Sequence, residues 1–229
     1  MSGRLLVTGS NRGTGLAIAT LFGERGFRIA SLNRTRLGKP WLGEIVCDLS
    51  RGAEIGPACD AALAHLGGVD VCILNAAVRQ IHRIEDMTDA DWDESVATNL
   101  SAVFKIMRRM LPALKASRGH LVILGSQAGE HFFEGGAAYC ATKAALVALA
   151  EVAVLETRGD GVRCTLVTAG AIHNRDKGND GWKIEPASVE RVIYDVVQRD
   201  ASSFVGHVGI RPARVPKSPV VGLARLQHL

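Results

Sequence analysis

Tyr139 and Lys143 stand four residues apart in a stretch of helical period, so a phenol and an ammonium project from one helix face. A free tyrosine has a pKa of about 10, too high for a good base at neutral pH, and a nearby cation favours its phenolate. Such a pair suits proton exchange with a substrate oxygen, although the same spacing also describes an amphipathic face with one half-buried phenol. Ser126 precedes Tyr139 by thirteen positions and closes an apolar strand in Gly125-Ser126-Gln127-Ala128-Gly129, where its hydroxyl has the plainer use of capping a turn. This segment lacks the Gly-x-Ser-x-Gly spacing of a hydrolase elbow, and the seven histidines form no H-x-x-x-H or H-x-x-E-H pair. Serine hydrolysis and a metal site are therefore disfavoured.

A second cluster is the run Thr8-Gly9-Ser10-Asn11-Arg12-Gly13-Thr14-Gly15, set between a strand-like and a helix-like segment. Glycines there allow a tight turn and close backbone approach to a pyrophosphate, and the helix start offers unpaired N–H groups and partial positive charge. Nucleotide binding is a better reading of this turn than a simple glycine-rich connection. The next strand ends Ser31-Leu32-Asn33-Arg34, without the acid that bonds a ribose 2′-OH and repels a 2′-phosphate. Arg34, joined by Arg12 from the glycine turn, can set a guanidinium against that phosphate, which favours NADP over NAD. A solvated surface position is the ordinary alternative for both arginines.

The elements that carry these groups follow from hydropathy. Short apolar runs rich in β-branched residues, over 4–8, 27–32, 44–47, 69–75, 120–125, 162–168 and 204–210, alternate with helical periods over 16–25, 53–66, 89–115, 138–157 and 188–199. Thr88 opens the third helix as an N-cap before Asp89 and Asp91, and Pro112 is expected to kink or end it. The alternation predicts an α/β fold: a Rossmann-type, doubly wound, seven-stranded and mostly parallel sheet with helices on both faces. At 229 residues one domain is expected, with an irregular tail over 212–229 that contains Pro212, Pro216 and Pro219. A net charge of +4 with scattered Arg and Lys gives no nucleic-acid stripe and no polybasic membrane patch. Five spaced cysteines without a C-x-x-C pair suit buried thiols in a reducing compartment, and with no leader-like N-terminus the default location is cytoplasmic.

The Gly-x-x-x-Gly-x-Gly spacing resembles the glycine motif of the short-chain dehydrogenase/reductase family, and the resemblance runs along nearly the whole chain. Asp48, in Cys47-Asp48-Leu49, matches the family's acidic residue that contacts adenine, and Asn75-Ala76-Ala77 matches its Asn-Ala-Gly. Asn99, Ser126, Tyr139 and Lys143 match its active-site tetrad, and the Ser126 to Tyr139 spacing is the family's own. The resemblance implies a small-molecule carbonyl or alcohol substrate, with hydride moving to or from nicotinamide and Tyr139 exchanging the proton. Ser126 would bind the substrate oxygen, Lys143 the nicotinamide ribose, and Asn99 would position a water in a proton path. The dinucleotide would lie against Gly9, Ser10, Asn11, Arg12, Gly13, Thr14, Gly15, Asn33, Arg34, Asp48, Leu49, Asn75, Ala76, Ala77, Tyr139, Lys143, Gly170 and Ile172. Relatives pair through two long helices, here 89–115 and 138–157, which implies a homodimer or homotetramer.

The chain departs from the family after its sixth strand. Ala169-Gly170-Ala171-Ile172-His173-Asn174 has Ala169 for the usual proline and Asn174 where a threonine is expected. The stretch over 171–185, which in relatives folds over the substrate, is short and polar. Arg79, His82, His131, Phe132 and Phe133 are candidates for the pocket wall and suggest a polar or anionic substrate. Two other readings stay open: an NADP-binding sensor or scaffold without chemistry, and an epimerase or dehydratase that recycles its cofactor.

Overall fold

The computed structural model describes residues 3–173, 181–200 and 202–214. Asn174, the polar stretch that follows it to Asp180, and the tail beyond 214 lie outside the described residues.

Seven strands form the sheet: β1 (Arg4–Thr8), β2 (Arg28–Asn33), β3 (Glu44–Val46), β4 (Val71–Leu74), β5 (His120–Leu124), β6 (Arg163–Ala169) and β7 (His207–Ile210). They lie in the order β3-β2-β1-β4-β5-β6-β7, and every neighbouring pair is parallel. The helices are α1 (Gly13–Glu24), α2 (Gly52–Leu66), α3 (Asp89–Val96), α4 (Ala102–Ser117), α5 (Ala137–Thr157) and α6 (Pro186–Val197). Strand side chains alternate between two apolar faces, which is why the strands read as continuous hydrophobic runs. Leu6, Cys72, Leu74, Leu121 and Ile123 point into the core under α2, α4 and α5. Leu5, Val7, Ile73, Val122 and Leu124 pack with Ile18 and Phe22 of α1 and Val189 and Ile193 of α6.

The chain winds outward from β1 to β3 and then returns to β4 on the other side of β1. This switch opens a crevice beyond the carboxyl ends of β1 and β4, the place where such sheets take ligands. α5, continued to Asp160, is apolar and long enough to cross a membrane, but it is this protein's helix against β6 and the carrier of Tyr139 and Lys143.

The helix expected over 89–115 is interrupted, and the break is not at Pro112. Thr88 caps α3 by accepting from the Asp91 N–H at 3.1 Å. A π turn over Ala97–Ser101 then separates α3 from α4, which runs through Pro112 to Ser117. Pro112 and Arg108 are exposed, so water can serve the carbonyl that the proline deprives of its helical partner. α1 begins at Gly13, earlier than the periodicity at 16–25 indicates, because the glycine turn itself winds into the helix.

His120 is fully buried at the start of β5. The Thr165 hydroxyl donates to the Val205 carbonyl at 2.6 Å, so it can only accept from the imidazole Nε2, 2.7 Å away. The hydrogen therefore sits on Nε2, and Nδ1 is left buried without a partner. Burial, helped by the Arg163 charge, draws this imidazole down to about 3, so folding competes with its protonation. The resulting stability is fully present above the unfolded value of about 6.5 and is lost as pH falls from there towards 3, at up to roughly 1.4 kcal/mol per pH unit. Melting curves from about pH 7 to 4 should show a shallower decline for His120→Gln than for the native chain; parallel declines would assign the acid sensitivity elsewhere.

Candidate active site

At the switch point lies an open cavity of about 840 Å³. The turn after β1 forms one wall. Gly9 (φ +67°) and Gly13 (φ +52°) adopt left-handed backbone that side chains disfavour, and a Cβ on Gly15 would overlap the Gly9 carbonyl oxygen. The α1 N-terminus has no side-chain cap and no acid in its first turn, and Arg12 occupies the N-cap position. Gly13, Thr14 and Gly15 line the cavity. Unpaired N–H groups, a dipole end and a cation around a concave surface are the donor set that a dinucleotide's phosphates require, so the residues present fit that group.

Two asparagines hold this wall in place. Asn75 Nδ2 donates to the carbonyls of Thr8 (3.0 Å) and Gly9 (3.1 Å), while the Asn75 and Ala76 N–H groups both donate to the Thr8 hydroxyl at 3.0 Å. Asn33 Oδ1 accepts from the Ser10 N–H at 2.7 Å, and its Nδ2 donates to the Ser31 hydroxyl at 3.0 Å. Asn33 borders the cavity, yet its polar atoms are spent on the turn; Ser10 is wholly buried and is not among the lining residues. The Asn33 and Ser10 side chains thus help to shape the turn. Ala77 also lines the cavity, and its φ is not positive, so the methyl that replaces the family's glycine carries no backbone strain.

Further along the wall, Arg34 is 65% exposed and 3.8 Å from Glu94. Asn11 donates to the Thr35 hydroxyl at 2.8 Å. Asp48 and Leu49 lie beyond β3; the Ser50 hydroxyl, 2.7 Å away, holds the Asp48 carboxyl below its usual range. Ile172 lines the cavity and bridges to Ile184, whereas Gly170 lies behind the surface, where a Cβ would meet Gln127 and Pro212.

Tyr139 enters the same cavity from the first turn of α5. Its neighbours are set by close backbone approach: a Cβ at Gly129 would stand 2.7 Å from the Lys143 carbonyl, so glycine lets the turn after β5 lie against α5. Ser126, at the head of that turn, caps it through the Ala128 N–H at 3.1 Å, and its hydroxyl lies close enough to the Tyr139 phenol to favour the phenolate. Lys143 is buried, donates to the Leu124 carbonyl at 2.8 Å and holds its ammonium 5.8 Å from the Tyr139 ring centre. Burial draws Lys143 down to about 8. Burial also raises the phenol above the ordinary tyrosine value, against the lowering effects of the Ser126 bond and the Arg79 charge.

Asn99 is fully buried in the π turn and clamps Val78, accepting from its N–H at 2.8 Å and donating to its carbonyl at 2.9 Å. Its amide also reaches the Thr142 hydroxyl at 3.3 Å. The side chain thus ties the π turn to Val78 and to α5. Of the residues expected to form the pocket wall, Arg79 lines the cavity; His82, His131, Phe132 and Phe133 do not. Thr98 and Lys183 are lining residues that sequence reasoning missed, and neither belongs to a spacing that would have marked it.

Residues 4–179 match the short chain dehydrogenase family. D-threitol dehydrogenase of Mycolicibacterium smegmatis is 30% identical over 192 residues, covering 77% of this chain and 72% of that protein. The Escherichia coli 3-oxoacyl-acyl-carrier-protein reductase is 29% identical over 176 residues, covering 73% and 72%. Among solved structures, a metagenomic short-chain oxidoreductase in complex with NADP has a TM-score of 0.82 and 30% identity, covering 93% of this chain and 99% of that one. A Brucella melitensis 3-ketoacyl-acyl-carrier-protein reductase complexed with NADH shares the fold, with a TM-score of 0.83 at 21% identity over 93% and 98% of the two chains. A family match over most of the length, on a parallel sheet of this order, settles the kinship: the chain belongs to the short-chain dehydrogenase/reductase family of oxidoreductases.

Proposed function

We propose that this protein is an NADP-dependent oxidoreductase that interconverts a carbonyl group and an alcohol on a small molecule. The observation that carries this reading is the placement of Tyr139, beside Ser126 and Lys143, in the cavity that the glycine turn also lines. When bound, the nicotinamide supplies or takes up the hydride. This chain's residues do the rest. Ser126 and Tyr139 hold the substrate oxygen between two hydroxyl groups. Because burial holds the phenol above its ordinary value, Tyr139 is protonated at neutral pH and ready to donate to that oxygen during reduction. In oxidation it must first lose its proton, and the Ser126 bond, the Arg79 charge and the Lys143 ammonium reduce that cost. Lys143, drawn to about 8, keeps its charge at neutral pH and is aimed by the Leu124 carbonyl. Asn99 is a positioning residue, which fixes the Val78 backbone against α5.

Arg12 and Arg34 favour NADP, with Asp48, Leu49 and the 75–77 segment along the remaining wall. Trp92, Phe104, Val152 and Leu155 are large, exposed and spread over α3, α4 and α5, an apolar surface that supports a homo-oligomer; sedimentation at a multiple of the 24.4 kDa chain mass is the matching observable. The five cysteines are buried free thiols, in keeping with a reducing compartment such as the cytoplasm.

The function is tested by titrating NADPH and NADH directly and by following NADPH absorbance with a panel of aldehydes, ketones and quinones. Tighter NADPH binding and turnover with one carbonyl class are expected. Binding without turnover across the panel would point to a sensor, and product formed without net NADPH consumption would point to an epimerase or dehydratase.

A further inference from the structure

The backbone that carries Arg79 is clamped on both sides. Before it, Asn99 grips both the N–H and the carbonyl of Val78, at 2.8 and 2.9 Å. After it, the His82 N–H donates to the Gly135 carbonyl at 3.0 Å, His82 pairs with Gly136, and Arg83 meets Glu134 at 2.7 Å. That second clamp lands on the segment leading directly into α5 and Tyr139. The Arg79 backbone is thereby fixed relative to the reacting phenol, and its side chain lines the cavity.

The charges around this part of the cavity share one sign. Arg79 and Lys183 line it beside Tyr139, Thr98 and Ile172, and the one acid among the described lining residues, Asp48, lies beyond β3 on the far side of β2 and β1. Arg79 is partly desolvated, and its charge acts on Tyr139 and Cys140. A guanidinium keeps its charge when partly desolvated and offers an oxyanion two parallel, charge-assisted N–H bonds. It has five N–H donors and a carboxylate engages two, so contacts that Arg79 makes within the protein are compatible with a ligand.

We propose that Arg79 is a specificity-determining residue that seats an oxyanion of the substrate beside Tyr139, which makes anionic carbonyl compounds, and the hydroxy anions they yield, the substrate class. This rests on the oxidoreductase reading above for its chemistry, though not for its binding.

The test compares acetoacetate and levulinate with their methyl esters, and dihydroxyacetone phosphate with dihydroxyacetone, in the native chain and in Arg79→Gln and Arg79→Lys. The native enzyme should prefer the anion in at least one kind of pair, and the kind that shows it distinguishes a carboxylate from a phosphate. Arg79→Gln should lower kcat/KM for the anion by about 10- to 100-fold more than for its uncharged partner, mainly through KM, with Arg79→Lys in between; any loss that both share reports the effect of the Arg79 charge on Tyr139. Anion and neutral partner falling together, or no native preference, would overturn the assignment. Calorimetric titration of the anions into Tyr139→Phe, with and without NADPH, reads binding apart from turnover. Weakening of about tenfold or more on adding Arg79→Gln is expected, and unchanged affinity would also overturn it. Arg79-dependent anion binding without turnover of any carbonyl in the native chain would instead fault the oxidoreductase reading.

Discussion

Replacing Tyr139 by Phe should leave NADPH affinity within about threefold of the native value while turnover falls by about 1,000-fold or more. The substitution removes one oxygen and keeps the ring, which is packed within the cavity wall with the Lys143 ammonium 5.8 Å from its centre. The glycine turn and the Asn75 and Asn33 hydrogen bonds that shape the dinucleotide wall do not involve the phenol. What disappears is the hydroxyl beside Ser126, the proposed proton donor to the substrate oxygen. An interaction used chiefly in the transition state lowers kcat and kcat/KM together, so KM should move little. Dinucleotide titration and single-turnover rates on the same preparation decide the matter. Turnover within about tenfold of native would remove Tyr139 from the chemistry and shift attention to Ser126 or to a bound water.

The sequence disclosed most where one physical requirement governs a whole segment. Burial on both faces makes a strand apolar throughout, which made β1, β4, β5 and β6 readable and their parallel arrangement inferable from the helical crossovers between them. The glycine turn was equally legible, because its backbone angles exclude other residues. Features that depend on distant partners were not. Nothing local says that Asn99 will clamp Val78 or that a π turn will form around it, and the local rule for Pro112 misplaced the break because it takes no account of exposure. That the Asn33 amide would also brace the Ser10 backbone could not be read from its place at the end of β2. The phenol's environment was also only half visible: the i to i+4 spacing reveals Lys143, whereas Arg79, brought from another loop, supplies a second cation.

Arg34→Asp should weaken NADPH by about 100-fold or more while changing NADH by no more than a few fold. Arg34 follows β2 directly and lines the cavity with Arg12, Asn11 and Thr35. The side chain that precedes it, Asn33, is buried and tied to Ser10, so Arg34 is the first charge met at the end of this strand. In the native chain its guanidinium lies 3.8 Å from Glu94 and is largely exposed, an ion pair worth at most about 1 kcal/mol and easily exchanged for a dianionic phosphate. The substitution removes that cation and places a carboxylate where a ribose 2′-OH would welcome it and a 2′-phosphate would be repelled. Both effects act on NADPH, whereas for NADH the new hydrogen bond offsets the lost charge. The preference, read as the ratio of the two dissociation constants, should therefore invert or approach unity, and kcat with the preferred carbonyl should persist in the presence of NADH because Ser126, Tyr139 and Lys143 are untouched. Equal losses for both dinucleotides would mean that Arg34 supports the loop through Glu94 and does not read the phosphate.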